Sequence, residues 1–352
     1  LDWQVQVRHA ITTYAELRER LELTEEEVLG IERAEREGLP MAITPYYLSL
    51  VSRTDPTCPI RKQVVPTIAE AHVASGDLQD PLGEVAHEVA PHLVQRYPDR
   101  VLLLVTDRCA VYCRFCTRSR IVGDGGGAVS LDALGPALAY IREHPEVRDV
   151  IVSGGDPLTM STARIVRVLE AVRAIAHVET IRIATRVPVT LPMRIQPELL
   201  SALRPLHPLW IMTHFNHPNE LTEEAREACI KLADAGFPVM NQTVLLRGIN
   251  DNEATLEALF RGLVRVRARP YYLLQADPVV GTAHLRTPLS RGLELMAALQ
   301  GRLTSIALPK FICDTPGGKG KVPLFPEVIV SQDGKGTILR TFRGEHVTYE
   351  DP

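Results

Sequence analysis

The sequence predicts an α/β fold in which a parallel sheet closes partly into a (β/α)6 barrel. From residue 101 onward, short apolar runs alternate with amphipathic stretches. This alternation is typical of βα units, because parallel strands need a crossover, usually a helix, between them. The apolar runs predict strands at residues 101–106, 149–154, 180–185, 209–215, 238–246 and 269–277. The amphipathic stretches predict helices near residues 130–143, 161–176, 222–235, 252–266 and 288–303.

The segment ahead of the barrel, residues 1–95, is predicted to be a mainly helical extension. Thr24 and Glu27 have the spacing of a capping box at the start of a helix. Gly38, followed by Pro40, is expected to end that helix.

The chain after the barrel core has a different sequence pattern. The barrel core is predicted over residues 96–287, and residues 288–352 form a separate C-terminal segment. In that segment "ALPKFICD" and "EVIVSQ" predict two further strands on either side of the glycine-rich stretch "TPGGKGK".

Composition excludes several classes of protein. The 352 residues are 45% hydrophobic and carry a formal net charge of −4, which gives no electrostatic reason to expect nucleic acid or an anionic membrane as a partner. The apolar runs are too short to span a bilayer. Six cysteines are too few for a disulfide framework at this length, which predicts a cytoplasmic protein. They are Cys58, Cys109, Cys113, Cys116, Cys229 and Cys313.

Three of the cysteines form one cluster in the stretch "TDRCAVYCRFCTRSR". Cys109, Cys113 and Cys116 follow the first barrel strand, at the end of such folds where functional groups gather. A structural zinc site needs four ligands, and the other three cysteines are scattered. Three thiolates at short spacing therefore indicate an iron–sulfur cluster that leaves one iron open to a small molecule. The alternative is three reduced structural cysteines.

The spacing of this cluster, with the aromatic residue in "CRFC", resembles the signature of the radical S-adenosylmethionine enzymes. The resemblance implies that the methionine moiety of adenosylmethionine binds the open iron, and that reductive cleavage yields a 5′-deoxyadenosyl radical. It also implies a radical S-adenosylmethionine barrel, with "SGGDP" after the second strand as the glycine-rich motif of that family. The implied adenosylmethionine contacts are Ser153, Gly154, Gly155, Asp156, His214 and Gln242.

Lys321 ends the glycine-rich stretch "DTPGGKGK" and is a candidate for a Schiff base with an aldehyde cofactor. From this segment alone, a solvated lysine on a surface loop is the alternative. Lys319 also lies in the stretch, so a second amine competes with Lys321 for the assignment.

Stretches along nearly the whole chain resemble the lysine 2,3-aminomutase family. They include "MAITPYYLSL", "RYPDRVLLL", "YCRFCTR", "THFNHPNE", "VLLRGIN" and "HLRTPLS". The resemblance implies that Lys321 carries pyridoxal phosphate, and that Arg96, Tyr97 and Arg100 lie near this cofactor. Alternatively, the two arginines pair with Asp99 or with other surface acids.

The same resemblance implies how a substrate is selected. Arg118 matches the family residue that binds the substrate α-carboxylate, for which an arginine is well suited. Asp277 and Asp314 match the two acids that bind the ε-ammonium of lysine. Two carboxylates would repel a glutamate side chain, whereas arginine remains a competitor. Arg186 and Glu220 are left out of the predicted site.

The expected activity is an isomerisation of L-lysine to β-lysine, by radical 1,2-amino migration on a pyridoxal-phosphate aldimine. The expected partners are a reductant such as flavodoxin or ferredoxin and further copies of the same chain. An arginine or glutamate 2,3-aminomutase is the nearest alternative. A radical enzyme without pyridoxal phosphate and an iron–sulfur electron carrier are alternatives of other classes, although carriers usually close the cluster with a fourth cysteine.

Overall fold

The computed structural model describes residues 2–37, 39–123, 125–333 and 336–350. Its strands are β1 (Glu88–Ala90), β2 (Leu93–Tyr97), β3 (Arg100–Thr106), β4 (Asp149–Gly154), β5 (Thr180–Ala184), β6 (Leu209–Thr213), β7 (Val239–Leu245), β8 (Ala268–Gln275), β9 (Lys310–Thr315), β10 (Gly320–Leu324), β11 (Ile329–Asp333), β12 (Gly336–Arg340) and β13 (His346–Tyr349). Its α-helices are α1 (Trp3–Arg8), α2 (Tyr14–Arg20), α3 (Glu25–Arg36), α4 (Pro45–Ser49), α5 (Gly135–Glu143), α6 (Thr162–Arg173), α7 (Val187–Thr190), α8 (Pro197–Leu203), α9 (Glu223–Asp234), α10 (Glu253–Arg265) and α11 (Leu289–Leu299).

Ten strands form one sheet in chain order from β1 to β10. Strands β3 to β9 are parallel, with helices between them, so the predicted α/β barrel architecture is confirmed. All six predicted barrel strands are present as β3 to β8. The strand predicted from "ALPKFICD" is β9, and it joins this sheet as a seventh parallel strand. Antiparallel pairs extend both edges, β1 and β2 before β3, and β10 after β9.

Strand burial alternates in the way expected for a sheet with two different faces. On β3, Val101, Leu103 and Val105 are at most 2% exposed, whereas Leu102 and Leu104 are only half-buried. The first set belongs to the main hydrophobic core, which also contains the buried faces of the helices. The sheet therefore buries one face against the helices and leaves the other as the lining of an open barrel.

Several elements of regular structure were not predicted, among them β10, β12 and β13 in the C-terminal segment and two regions nearer the barrel. Helices α7 and α8 fill the crossover between β5 and β6, where frequent prolines obscure the helical pattern. Pro188 and Pro197 lie in the first turn of their helices, where no backbone N–H partner is needed. The hairpin of β1 and β2 precedes the barrel, and its turn includes His92 with a φ of 67°.

The N-terminal extension is a folded unit with its own buried polar anchor. Helix α3 begins after Thr24 with the predicted capping box to Glu27, and Gly38 lies outside the described residues. Arg61 is fully buried and donates to both Glu27 oxygens at 2.7 and 2.6 Å. The remaining Arg61 donors bind backbone carbonyls, so this charged side chain is well satisfied.

The extension also packs against the barrel. Tyr47 donates to the buried Glu220 carboxylate at 2.7 Å, and Thr44 donates to the carbonyl of Thr190 at the end of α7 at 2.8 Å. Within the described ranges, no helix combines the length and the apolar character needed to cross a membrane.

The two edges of the open sheet meet at one place. Arg96 on β2 forms an ion pair with Asp314 on β9, with Nη2 and Oδ1 2.5 Å apart. The Tyr97 hydroxyl accepts a hydrogen bond from the Lys321 backbone N–H on β10 at 2.8 Å. These contacts bring the two ends of the barrel core together around Lys321. Strands β11 to β13 form a separate antiparallel sheet further along the chain.

Candidate active site

The three clustered cysteines lie in the loop that follows β3. All six cysteines of the chain are unpaired thiols. Cys109, Cys113 and Cys116 line one cavity of about 250 Å³. Burial, with the neighbouring acids and thiols, raises the pKa of Cys109 well above its ordinary value, and burial and Cys113 raise the pKa of Cys116 to about 11.

These properties fit a metal cluster that holds the thiolates. Buried thiols are costly to ionise, and bound metal cations supply the missing positive charge. The backbone N–H of Arg118 donates to Cys116 Sγ at 3.3 Å, a contact that also favours a thiolate. In the described part of the chain, no group of three or more His, Cys, Asp or Glu side chains is arranged to hold a single metal ion.

Gly154 and Gly155 allow the end of β4 to lie directly against the cysteine loop. A Cβ on Gly154 would lie 2.2 Å from the Thr106 carbonyl oxygen, and one on Gly155 would lie 2.3 Å from that of Arg108. The φ of Gly154 is also +122°, which favours glycine. The two glycines are therefore required for this close approach of two backbone segments.

Ser153 and Asp156 of the glycine motif make different contacts. Ser153 accepts a hydrogen bond from Arg118 Nη1 at 3.3 Å. Asp156 is buried, and its oxygens accept hydrogen bonds from the Thr185 hydroxyl and from the backbone N–H of Arg186, both at 2.6 Å. Asp156 therefore joins the ends of β4 and β5.

The structure brings Arg186, which was left out of the predicted site, to the cysteines. Its Nη1 donates to Cys113 Sγ at 2.7 Å. Its Nη2 donates to Glu220 at 2.7 Å and to Gln63 at 2.6 Å. The buried Arg186 guanidinium therefore links Cys113 to Glu220 and Gln63. Sequence reasoning missed this network because its members are more than 30 positions apart along the chain.

His214 directly follows β6, and Gln242 lies on the neighbouring strand β7. His214 lies edge-on to Phe115 of the cysteine loop, with ring centroids 5.5 Å apart. Burial, together with Arg186, lowers the pKa of His214 to about 3, so the imidazole is neutral. Gln242 lies on β7 on the half-buried face of the strand.

Arg118 is held by a carboxylate that was not predicted. Its Nε and Nη2 donate to the buried Glu84 at 2.9 and 2.7 Å. Arg120 donates to the second Glu84 oxygen at 3.0 Å. Burial alone would raise the pKa of Glu84, but the two guanidinium groups outweigh it and hold that pKa below its usual value. No motif in the sequence marks Glu84, because its partners are 34 and 36 positions away.

Lys321 lies beside the predicted acid Asp314. Its Nζ forms an ion pair with Asp314 Oδ2, while Arg96 binds Oδ1 at 2.5 Å. Lys321 and Asp314 are direct partners in the pairing of β10 with β9. Lys319, in contrast, is exposed and has no hydrogen bond or ion pair with the residues that the structure describes.

Asp277 follows β8 and faces the same cluster of charges. Burial and the charge of Asp314 raise the pKa of Asp277 to about 7, while Lys321 and Arg96 act in the opposite direction. Burial also raises the pKa of the nearby Cys313 thiol, as do the charges of the two aspartates. The structure thus brings the predicted pair of acids together with the predicted cofactor lysine.

Arg100 makes the local ion pair that was the alternative to cofactor binding. Its Nη1 donates to Asp99 at 3.0 Å, and its guanidinium lies 3.8 Å from the centre of the Tyr97 ring. The stack on Tyr97 keeps Arg100 next to the residue that contacts Lys321. An aldehyde cofactor with a phosphate fits this donor set, which combines an amine with two nearby arginines.

Two family models match the chain. The model described as "Radical SAM superfamily" matches residues 103–259, and the model described as "Lysine-2,3-aminomutase" matches residues 296–352. An L-lysine 2,3-aminomutase from Fusobacterium nucleatum is 48% identical over 351 residues, which are 100% of this chain and 82% of the relative.

Two further curated relatives cover much of the chain. An L-lysine 2,3-aminomutase from Clostridium subterminale is 48% identical and covers 100% of this chain and 84% of its own length. A glutamate 2,3-aminomutase from Clostridioides difficile is 42% identical over 88% of this chain and 73% of the relative. Similarity of this kind therefore extends to relatives with different amino acid substrates in their names.

The raised pKa of Asp277 predicts a pH-dependent stability. Its carboxyl has an ordinary pKa of 3.8 and a pKa of about 7 in the folded protein. The protonated carboxyl therefore stabilises the folded state fully below pH 3.8, and this stabilisation is lost as the pH rises through about 7. Asparagine stays neutral at both pH values. We therefore expect the free energy of unfolding of Asp277→Asn, relative to that of the unsubstituted protein, to rise by about 2 to 4 kcal/mol from about pH 5 to about pH 8. Urea unfolding of the cofactor-free protein measures the difference.

Asp132→Asn is the control, because Asp132 is an exposed carboxylate on a turn. Its effect is expected to be the same at both pH values. A difference between Asp277→Asn and the unsubstituted protein that does not change with pH would contradict the raised pKa.

Proposed function

The chain belongs to the lysine 2,3-aminomutase family within the radical S-adenosylmethionine enzymes, and we propose that it interconverts L-lysine and β-lysine. The observation that carries this proposal is the pair of acids, Asp277 and Asp314, beside Lys321. A pocket with two carboxylates suits the ε-ammonium of lysine, because a buried ammonium needs compensating negative charge.

Membership of the radical S-adenosylmethionine family implies an iron–sulfur cluster and adenosylmethionine. We propose that Cys109, Cys113 and Cys116 hold the cluster. When reduced by a donor such as flavodoxin or ferredoxin, the cluster would supply the electron that cleaves adenosylmethionine into a carbon-centred radical and methionine. Arg186 donates a hydrogen bond to Cys113 at this site. The proposed contacts to adenosylmethionine are Ser153, Gly154, Gly155, Asp156, His214 and Gln242.

Lys321 is proposed to hold pyridoxal phosphate, with Arg96, Tyr97 and Arg100 around it. Tyr97 fixes the backbone of Lys321 through its hydroxyl, and it supports Arg100 through the ring stack. Arg96 and Arg100 are the cations available for a phosphate group. The side chain of the alternative amine, Lys319, makes no ion pair with the residues that the structure describes.

The charges around Asp314 favour an ammonium ligand. In the structure, Asp314 Oδ2 binds the Lys321 ammonium and Oδ1 binds Arg96. If Lys321 held the cofactor, Asp314 Oδ2 would lose that cation. An incoming lysine ε-ammonium restores the same contact, and it can share its remaining hydrogens with Asp277.

This exchange of one ammonium for another distinguishes lysine from its competitors. The guanidinium of a substrate arginine binds best to both oxygens of one carboxylate. In Asp314, Arg96 already binds one of them, Oδ1. A glutamate side chain would add a third carboxylate to Asp277 and Asp314, which is unfavourable in a half-buried site. The acidic pair therefore favours lysine over arginine and glutamate.

Arg118 is proposed to bind the substrate α-carboxylate. Its backbone N–H contacts Cys116, so a carboxylate bound to Arg118 lies close to the cluster. Holding both ends of the substrate places its β-carbon for hydrogen abstraction, and such positioning is a large part of what a protein contributes to radical chemistry.

Three further expectations belong to the same proposal. The chain is proposed to be cytoplasmic and to assemble with other copies of itself. Residues 1–95, 96–287 and 288–352 are proposed as the helical extension, the barrel core and the segment with the cofactor lysine. The ranges matched by the two family models lie within the second and third of these divisions.

Substitution of the two lysines separates their roles. We expect Lys321→Ala to lose almost all bound pyridoxal phosphate after dialysis, because the covalent attachment is gone. Lys319→Ala is the matched control, two positions away and exposed, and it is expected to retain the cofactor. The absorbance band of the bound cofactor measures both. Retention in Lys321→Ala together with loss in Lys319→Ala would move the attachment to Lys319.

Reversal of charge at Asp277 tests substrate selection. We expect Asp277→Lys to lower kcat/KM for L-lysine by about 100-fold or more, because an ammonium in the pocket repels the substrate ammonium and pairs with Asp314. The β-lysine formed under anaerobic, reducing conditions is measured in enzyme whose iron and pyridoxal phosphate contents match those of the unsubstituted enzyme. Asp132→Lys is the control. Lysine turnover that survives in Asp277→Lys would rule out the acidic pair as the binding site for the ammonium.

A further inference from the structure

Residues 80–87, called the strap here, lie between the cysteine loop and the loop that leads to Lys321. Glu84 is in the centre of the strap and is 3% exposed. We propose that Glu84 is a positioning residue that orients Arg118 to receive the substrate α-carboxylate. This inference rests on the role proposed above for Arg118.

The hydrogen bonds of Arg118 divide its guanidinium into two edges. Nε donates to the two Glu84 oxygens at 2.9 and 3.2 Å, and Nη2 donates to Oε1 at 2.7 Å. Glu84 therefore occupies the edge formed by Nε and Nη2. Within the described part of the chain, Nη1 donates only to Ser153 Oγ, at 3.3 Å. The edge formed by Nη1 and Nη2 keeps hydrogens for a bidentate carboxylate.

The free edge of the Arg118 guanidinium leaves room for an anion. Arg118 and Arg120 both bind Glu84, and each has a side chain that is 18% exposed. Asp80 also pairs with Arg120 at 3.3 Å, so two guanidinium groups face two carboxylates and their formal charges sum to zero. An α-carboxylate therefore binds through the hydrogens that Glu84 leaves free on Arg118. Without Glu84, the two half-buried cations would repel each other, and Arg118 would lose its fixed orientation.

The other side of the strap contacts the lysine loop. The Gly317 N–H donates to the Pro81 carbonyl at 2.9 Å. A Cβ on Gly83 would lie 2.9 Å from the Gly317 carbonyl carbon, and the φ of Gly83 is +63°. The strap thus contacts the loops of both proposed cofactor sites. The strap binds Arg118 on one side and contacts the lysine loop on the other. It therefore sets the distance between the two parts of the site that hold the amino acid.

Ligand binding without turnover tests the role of Glu84. The enzyme is loaded with iron, sulfide and pyridoxal phosphate and is kept free of adenosylmethionine. The dissociation constants of L-lysine and of 1,5-diaminopentane, which lacks the α-carboxylate, are read from the absorbance of the bound cofactor. The variants are Glu84→Gln and Arg118→Met, with Glu146→Gln as the control because Glu146 is exposed on a turn.

We expect Glu84→Gln to weaken L-lysine binding about tenfold, because charge-assisted hydrogen bonds hold Arg118, and to leave 1,5-diaminopentane binding unchanged. Equal or tighter binding of L-lysine, or parallel weakening of both ligands, would overturn the proposal for Glu84. If Glu84→Gln no longer retains iron or pyridoxal phosphate, the same two dissociation constants are measured for Glu84→Asp. This variant keeps the negative charge on a shorter side chain. If Arg118→Met itself leaves L-lysine binding unchanged, the role proposed for Arg118 is wrong, which is a separate result.

Discussion

The Asp314 carboxylate joins the two edges of an open barrel. It binds Arg96 from the antiparallel hairpin at one edge and Lys321 from the hairpin at the other. Asp314 is buried, and a buried carboxylate between two cations is stable only if all three groups keep their places. The pKa of Asp314 stays below its ordinary value because these cations outweigh the cost of burial. The site around Lys321 therefore depends on the same contact that closes the sheet.

Charge is balanced in the same manner at both ends of the proposed substrate site. At one end, Asp277 and Asp314 face Lys321 and Arg96, and one cation can be exchanged for another. At the other end, Arg118 and Arg120 face Glu84 and Asp80, and the free edge of the Arg118 guanidinium can accept a carboxylate. An α-amino acid with a cationic side chain supplies an ammonium for the first end and a carboxylate for the second. The two ends are thus complementary to lysine in sign as well as in position.

The parts of the fold that could be predicted from sequence are those set by local patterns. Strands β3 to β8 follow from apolar runs of strand length, and the start of α3 follows from the spacing of Thr24 and Glu27. The cysteine loop is recognisable because its three thiols are close in sequence. Helix α8 was missed because Pro197 at its start resembles a loop signal. Glu84 and the contact of Arg186 with Cys113 were missed because each joins residues that only the fold brings together. Motif resemblance could propose Asp277, Asp314 and Lys321, but their mutual electrostatics needed the structure.

The acidic pair, Asp277 and Asp314, is expected to select lysine for amino-group migration. The most direct test of this selection is a competition in which the anaerobically reconstituted enzyme, with adenosylmethionine and a reductant, receives equal concentrations of L-lysine, L-arginine and L-glutamate. The β-amino acid products are separated and quantified by mass spectrometry. We expect β-lysine as the main product. A main product of β-arginine or β-glutamate would contradict it.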